Sequence, residues 1–116
     1  MNEAPEKNYI NKIVNKTISS VSYGLNVITL GFSNGNIYFS GSFMISFKNK
    51  RFLYDEVFPV TNDFGLLELL EKRIVKVNNI DDGICFSFEN ECSLELYCNE
   101  YYESFTLNIE GVEFIR

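Results

Sequence analysis

The stretch Ile10-Asn11-Lys12-Ile13-Val14-Asn15-Lys16-Thr17-Ile18-Ser19-Ser20-Val21 recurs 56 residues later as Leu66-Leu67-Glu68-Leu69-Leu70-Glu71-Lys72-Arg73-Ile74-Val75-Lys76-Val77. The same displacement of 56 sets Ile28-x-Leu30-x-Phe32-x-Asn34 on Ile84-x-Phe86-x-Phe88-x-Asn90. Over the 25 positions from 10 to 34, six are identical: Lys16/Lys72, Ile18/Ile74, Val21/Val77, Ile28/Ile84, Phe32/Phe88 and Asn34/Asn90. The apolar positions agree almost throughout. Two copies of one supersecondary unit are therefore expected, at about 5–58 and 61–116, each completing the other's core within a single domain spanning 1–116.

Working outward, Ile10, Ile13 and Val14 stand at i, i+3 and i+4, and Leu66, Leu69 and Leu70 repeat that spacing. This is the stripe of a short amphipathic helix lying on a sheet. A strand follows each helix, at about 17–21 and 73–77. Beyond a turn, Ile28, Leu30 and Phe32 alternate in one copy, and Ile84, Phe86 and Phe88 in the other. Ser33-Asn34-Gly35-Asn36 signals a tight hairpin, because Asn and Gly accept positive φ. Its partner, Glu89-Asn90-Glu91-Cys92-Ser93, lacks the glycine and predicts a looser loop. Ile37, Phe39, Phe43, Ile45 and Phe47 keep period two across Gly41, which predicts one long strand bent at the glycine. A basic turn, Lys48-Asn49-Lys50-Arg51, leads into a closing strand at about 52–58. The expected architecture is α+β: two tandem helix-plus-strands repeats forming one curved, mainly antiparallel sheet with two short helices.

The chain has 116 residues, is 46% hydrophobic, and takes its 16% aromatic share from Phe and Tyr alone. Such a composition folds rather than remaining disordered. No apolar run approaches a membrane span, and Met1-Asn2-Glu3-Ala4-Pro5-Glu6 lacks the basic-then-apolar order of a signal peptide, so a cytoplasmic protein is expected. Cys85, Cys92 and Cys98 are an odd count at spacings that suit no zinc site, which predicts reduced thiols. Charge is uneven. Residues 1–60 hold six basic and four acidic side chains (+2), and residues 61–116 four basic and twelve acidic (−8), giving the net −6. A surface of that sign repels phosphate backbones, so nucleic acid is not an expected partner, whereas a basic protein is steered toward it.

Histidine is absent, which removes Ser–His–Asp and Cys–His nucleophile systems, imidazole metal ligation and imidazole acid–base catalysis from the chain. Neither Gly-x-x-x-x-Gly-Lys-Ser/Thr nor Gly-x-Gly-x-x-Gly occurs. Asp81-Asp82-Gly83 is what a tight turn uses and lacks the ligand spacing of a calcium loop. Glu89, Glu91 and Glu95 read as a solvated hairpin rim rather than a glycosidase acid pair. No cofactor, metal or catalytic residue is expected. The least ordinary stretch is Glu100-Tyr101-Tyr102-Glu103, where the alternation breaks. Tyrosines there would supply contact area at low entropic cost, and glutamates complementarity to Lys or Arg.

Three segments carry a resemblance: Leu-Leu-Glu-Lys-Arg-Ile-Val-Lys-Val at 69–77, Phe-Ser-Phe-Glu-Asn at 86–90 and Tyr-Glu-Ser-Phe-Thr-Leu at 102–107. They resemble a family of small bacterial proteins akin to the immunity proteins encoded beside polymorphic toxins, including contact-dependent growth inhibition systems. The resemblance implies a non-enzymatic protein that binds a cognate toxin, such toxins being frequently basic nucleases, and neutralises it by occlusion. The expected contact comprises Asp81, Asp82, Glu89, Glu91, Glu95, Glu100, Tyr101, Tyr102 and Glu103. The alternative is a structural or adaptor module that binds another protein or itself through a sheet edge.

Overall fold

The chain runs through α1 (Lys7–Ile10), β1 (Ser20–Tyr23), β2 (Ile28–Phe32), β3 (Gly35–Phe39), β4 (Phe43–Phe47) and β5 (Lys50–Tyr54). It continues through β6 (Ile74–Ile80), β7 (Gly83–Phe88), β8 (Cys92–Tyr97), β9 (Phe105–Ile109) and β10 (Val112–Ile115). This is a computed structural model, and it describes residues 4–99 and 101–116. The alternating segments behave as their pattern requires: Ile28, Leu30 and Phe32 in β2, and Ile84, Phe86 and Phe88 in β7, are all buried.

The sheet count departs from expectation. Two separate five-stranded antiparallel sheets form, ordered β1-β2-β3-β9-β10 and β5-β4-β8-β7-β6, in place of one curved sheet. The cause lies at Gly41. The expected long strand breaks there, because the N–H groups of Ser40 and Gly41 both donate to the Ser104 carbonyl, at 2.9 and 3.2 Å. A Cβ on Gly41 would stand 2.8 Å from that of Ser104, so only glycine lets the two segments approach so closely. The chain leaves the first sheet after Phe39 and enters the second at Phe43. Period two survives because the same face stays inward around the corner, where the Phe39 and Phe43 rings meet edge to face at 5.1 Å. Each sheet thus takes three consecutive strands from one half of the chain and two from the other, joined by β3–β9 in one and β4–β8 in the second. The buried faces of both sheets belong to one apolar cluster.

The helices are also shorter than expected. A single turn of α-helix, α1, passes directly into a 3-10 turn at Asn11–Ile13, and the second copy has only the 3-10 turn Leu66–Leu69. With three residues per turn, positions i and i+3 eclipse while i+4 swings away. Ile10 and Ile13, like Leu66 and Leu69, are accordingly buried, whereas Leu67 and Leu70 face outward. The hairpin at Ser33-Asn34 forms, yet the positive φ falls on Asn34, and Gly35 sits in the ladder opposite Phe32 and Ile109. Glycine is needed at 35 for space, since a Cβ would strike the Asn108 carbonyl.

Candidate protein-binding site

Both halves must carry the chain from one sheet to the other, and they do so differently. The first crossing, from β3 to β4, uses residues 40–42; the second, from β8 to β9, uses the seven residues 98–104. A three-residue corner is sufficient for the crossing, so the longer connection exceeds what the fold requires. It carries Tyr101, 85% exposed, and Tyr102, 52% exposed, both with their rings outside the core. The Tyr101 N–H donates to Asn99 Oδ1 at 2.8 Å, and Asn99 bridges to Tyr102.

Acidic groups gather at the same end. Asp81 and Asp82 form the two-residue turn between β6 and β7, where Gly83 pairs with both Ile80 and Tyr97. The Cys98 N–H donates to the Asp82 carbonyl at 2.6 Å, which ties this turn to the start of the tyrosine loop. Gly83 is required here because a Cβ would collide with the Leu96 carbonyl. Glu103 is exposed at the far end of the loop. Among the described residues the two ion pairs are Lys16–Glu110 and Arg73–Glu89, and neither draws on Asp81, Asp82, Glu95 or Glu103.

The structure divides the nine expected contact residues. Asp81 and Asp82 are tied to the start of the loop that carries Tyr101, Tyr102 and Glu103 by the Cys98–Asp82 hydrogen bond. Glu95 lies at mid-strand on the outward face of the second sheet, opposite Cys85 and Met44, and accepts a 2.8 Å hydrogen bond from the Tyr97 hydroxyl. Glu89 and Glu91 are in the loop beyond the other end of β7, whose last residue, Phe88, is about 17 Å from Gly83 along the strand at 3.3–3.4 Å per residue. Glu89 is occupied internally: its Oε1 accepts the Arg73 N–H at 3.0 Å, and the Arg73 side chain lies 4.0 Å from its Oε2. Glu100 falls outside the described residues. A residue that sequence reasoning missed is Arg116, whose guanidinium reaches the Gly83 carbonyl at 3.4 Å and whose carbonyl accepts from Ser104 at 2.7 Å. Its signal was its standing as the one base after Glu89.

Three groups near these elements have shifted ionisation. Burial, then the hydrogen bond and charge of Glu95, raise the Tyr97 phenol above its ordinary value. Burial likewise raises the Cys98 thiol, with Arg116 opposing and Asp82 adding to the rise, and raises Cys85, reinforced by Glu95. All three cysteines are free thiols, and at neutral pH these shifts keep them protonated and weakly nucleophilic. Among the described residues, no group of three or more Cys, Asp or Glu side chains could hold a metal ion. No described helix is long and apolar enough to cross a membrane. In comparisons with known proteins, the chain matches no family model, no curated protein and no solved structure.

Proposed function

We propose that this chain is a cytoplasmic immunity protein that binds a cognate basic toxin domain and neutralises it by occlusion, without catalysis. The observation that carries the reading is the second sheet-to-sheet crossing. It is longer than the other crossing, and it carries two exposed tyrosines and Glu103 on a loop whose first residue, Cys98, is hydrogen-bonded to the Asp81-Asp82 turn. Loops in excess of structural need are where binding residues concentrate. Aromatic anchors ringed by charge are the usual make-up of a protein contact, the aromatics governing dissociation and the charges association. The net charge of −6 favours a basic partner and disfavours nucleic acid. The test is capture of the toxin domain encoded immediately upstream, together with growth of cells expressing that toxin. Stable capture and restored growth are expected; failure of the wild-type chain to bind any upstream toxin overturns the assignment.

A second reading draws on β5, an edge strand paired on one side only, with Leu53 62% exposed. Such an edge can accept a strand from another protein or from a second copy, as in an adaptor. Sedimentation of the wild type against Leu53→Lys decides it: self-association that the lysine abolishes favours this reading, and a monomer at every concentration removes the self-pairing form.

A further inference from the structure

The end of the second sheet away from the tyrosine loop is built around a groove of about 690 Å³, within the size range of small-molecule sites. Lys48, Lys50 and Lys72 line it with one acid, Glu68, so the groove carries +2 (three bases less one acid) in a chain of net −6. Neither ion pair among the described residues involves these three lysines. The Phe52 ring also lines the groove, 43% exposed although its position in the ladder, opposite Ile45, points it to the core side. Asn90 and Glu68 add hydrogen-bonding groups to the rim.

Three of the eight non-glycine residues with positive φ among the described residues lie in the two turns at this groove. Phe47 pairs with Lys50, leaving Lys48-Asn49 as a two-residue turn in which Lys48 has φ 56°, a conformation that glycine takes freely and lysine does not. Across the groove, Asn90 and Glu91 have φ 64° and 60°, and the Lys48 N–H donates to the Glu91 carbonyl at 2.9 Å, clamping the two turns together. Left-handed residues that the surroundings hold in place gather at functional sites. A glycine at 48 would take this turn conformation without the strain that lysine bears.

We propose that this groove binds a small molecule joining a phosphate to a flat ring, of the nucleoside monophosphate class. Lys48, Lys50 and Lys72 would receive the phosphate as point charges, in place of the glycine-loop amides that the sequence lacks. The ring would lie on Phe52, with Asn90 and Glu68 meeting its polar edge. The site is independent of the tyrosine loop and goes beyond the immunity reading.

The experiment is amide NMR of the full chain titrated with adenosine monophosphate, with inorganic phosphate and adenosine as partial probes. Saturable shifts at Lys48, Asn49, Lys50, Asn90 and Glu91 are expected, with a Kd below about 1 mM for adenosine monophosphate and weaker binding of either fragment. Lys48→Gly and Lys72→Ala should each weaken binding about tenfold, the loss expected for one charged hydrogen bond. Lys48→Gly should do so with an unchanged or higher Tm. No saturable shift at these amides, or wild-type affinity in both variants, overturns the proposal. Phosphate or adenosine alone binding as tightly as the whole nucleotide also overturns it, as does a fall in Tm for Lys48→Gly.

Discussion

Phe32 and Phe88 hold matching places in β2 and β7, 6% and 3% exposed, each at the end of a fully apolar face. Truncating either to Ala should cost about 3–5 kcal/mol, the range for buried aromatics, as read by urea denaturation. The sequence showed both positions plainly, because alternation alone decides which face a strand buries. A second expectation at this scale concerns pH. Cys85, Cys92 and Cys98 are raised above an ordinary 9.0, and Tyr23 is raised from 10.0 to about 12, in each case chiefly by burial. The folded state therefore holds protons that the unfolded chain gives up as pH passes 9 to 10. The stability from these groups is intact below that point and is lost as pH rises through the folded values. Thermal melts should decline from about pH 9 upward, and replacing Tyr23 by Phe should soften the decline. None of this could be read without coordinates, since burial sets the shifts.

At the scale of elements, the spacing at Leu66, Leu69 and Leu70 was legible as a helical stripe, but its pitch was not. A four-residue 3-10 turn keeps only the i, i+3 pair inside. Leu66→Ala and Leu69→Ala should each cost about 2–5 kcal/mol, while Leu70→Ala should stay within about 0.5 kcal/mol. Comparable losses at 69 and 70 would show a full α-helix. The strand through Gly41 misled for a related reason. Period two reports which face is buried and is blind to which sheet buries it, so a corner that keeps the same face inward leaves no mark. The clamp of Ser40 and Gly41 on Ser104 spans sequence-distant segments, and only the fold brings them together.

At the scale of the molecule, the halves exchange their last two strands, β4–β5 and β9–β10, so neither sheet is complete without both. Fragments 1–58 and 61–116 should each lack a cooperative transition when made alone, and a mixture should regain β-sheet circular dichroism. A fragment that folds alone would contradict the exchange. The exchange was not legible in the sequence, because identities at a displacement of 56 say nothing about which strands pair. The same topology separates the acidic residues into two ends, which the charge count could not do. Glu89 and Glu91 lie a strand's length from the tyrosine loop, whereas Asp81 and Asp82 adjoin it. The most direct measurement of the proposed function compares binding rates of a toxin domain encoded upstream, as the proposal requires, to four chains: wild type, Tyr101→Ala, Asp81→Lys with Asp82→Lys, and Glu89→Lys with Glu91→Lys. The account predicts faster dissociation for the tyrosine variant. It predicts slower, less salt-dependent association for the aspartate pair, and a smaller change for the glutamate pair. Wild-type rates for the first two variants, or a larger effect from the glutamate pair, would contradict it.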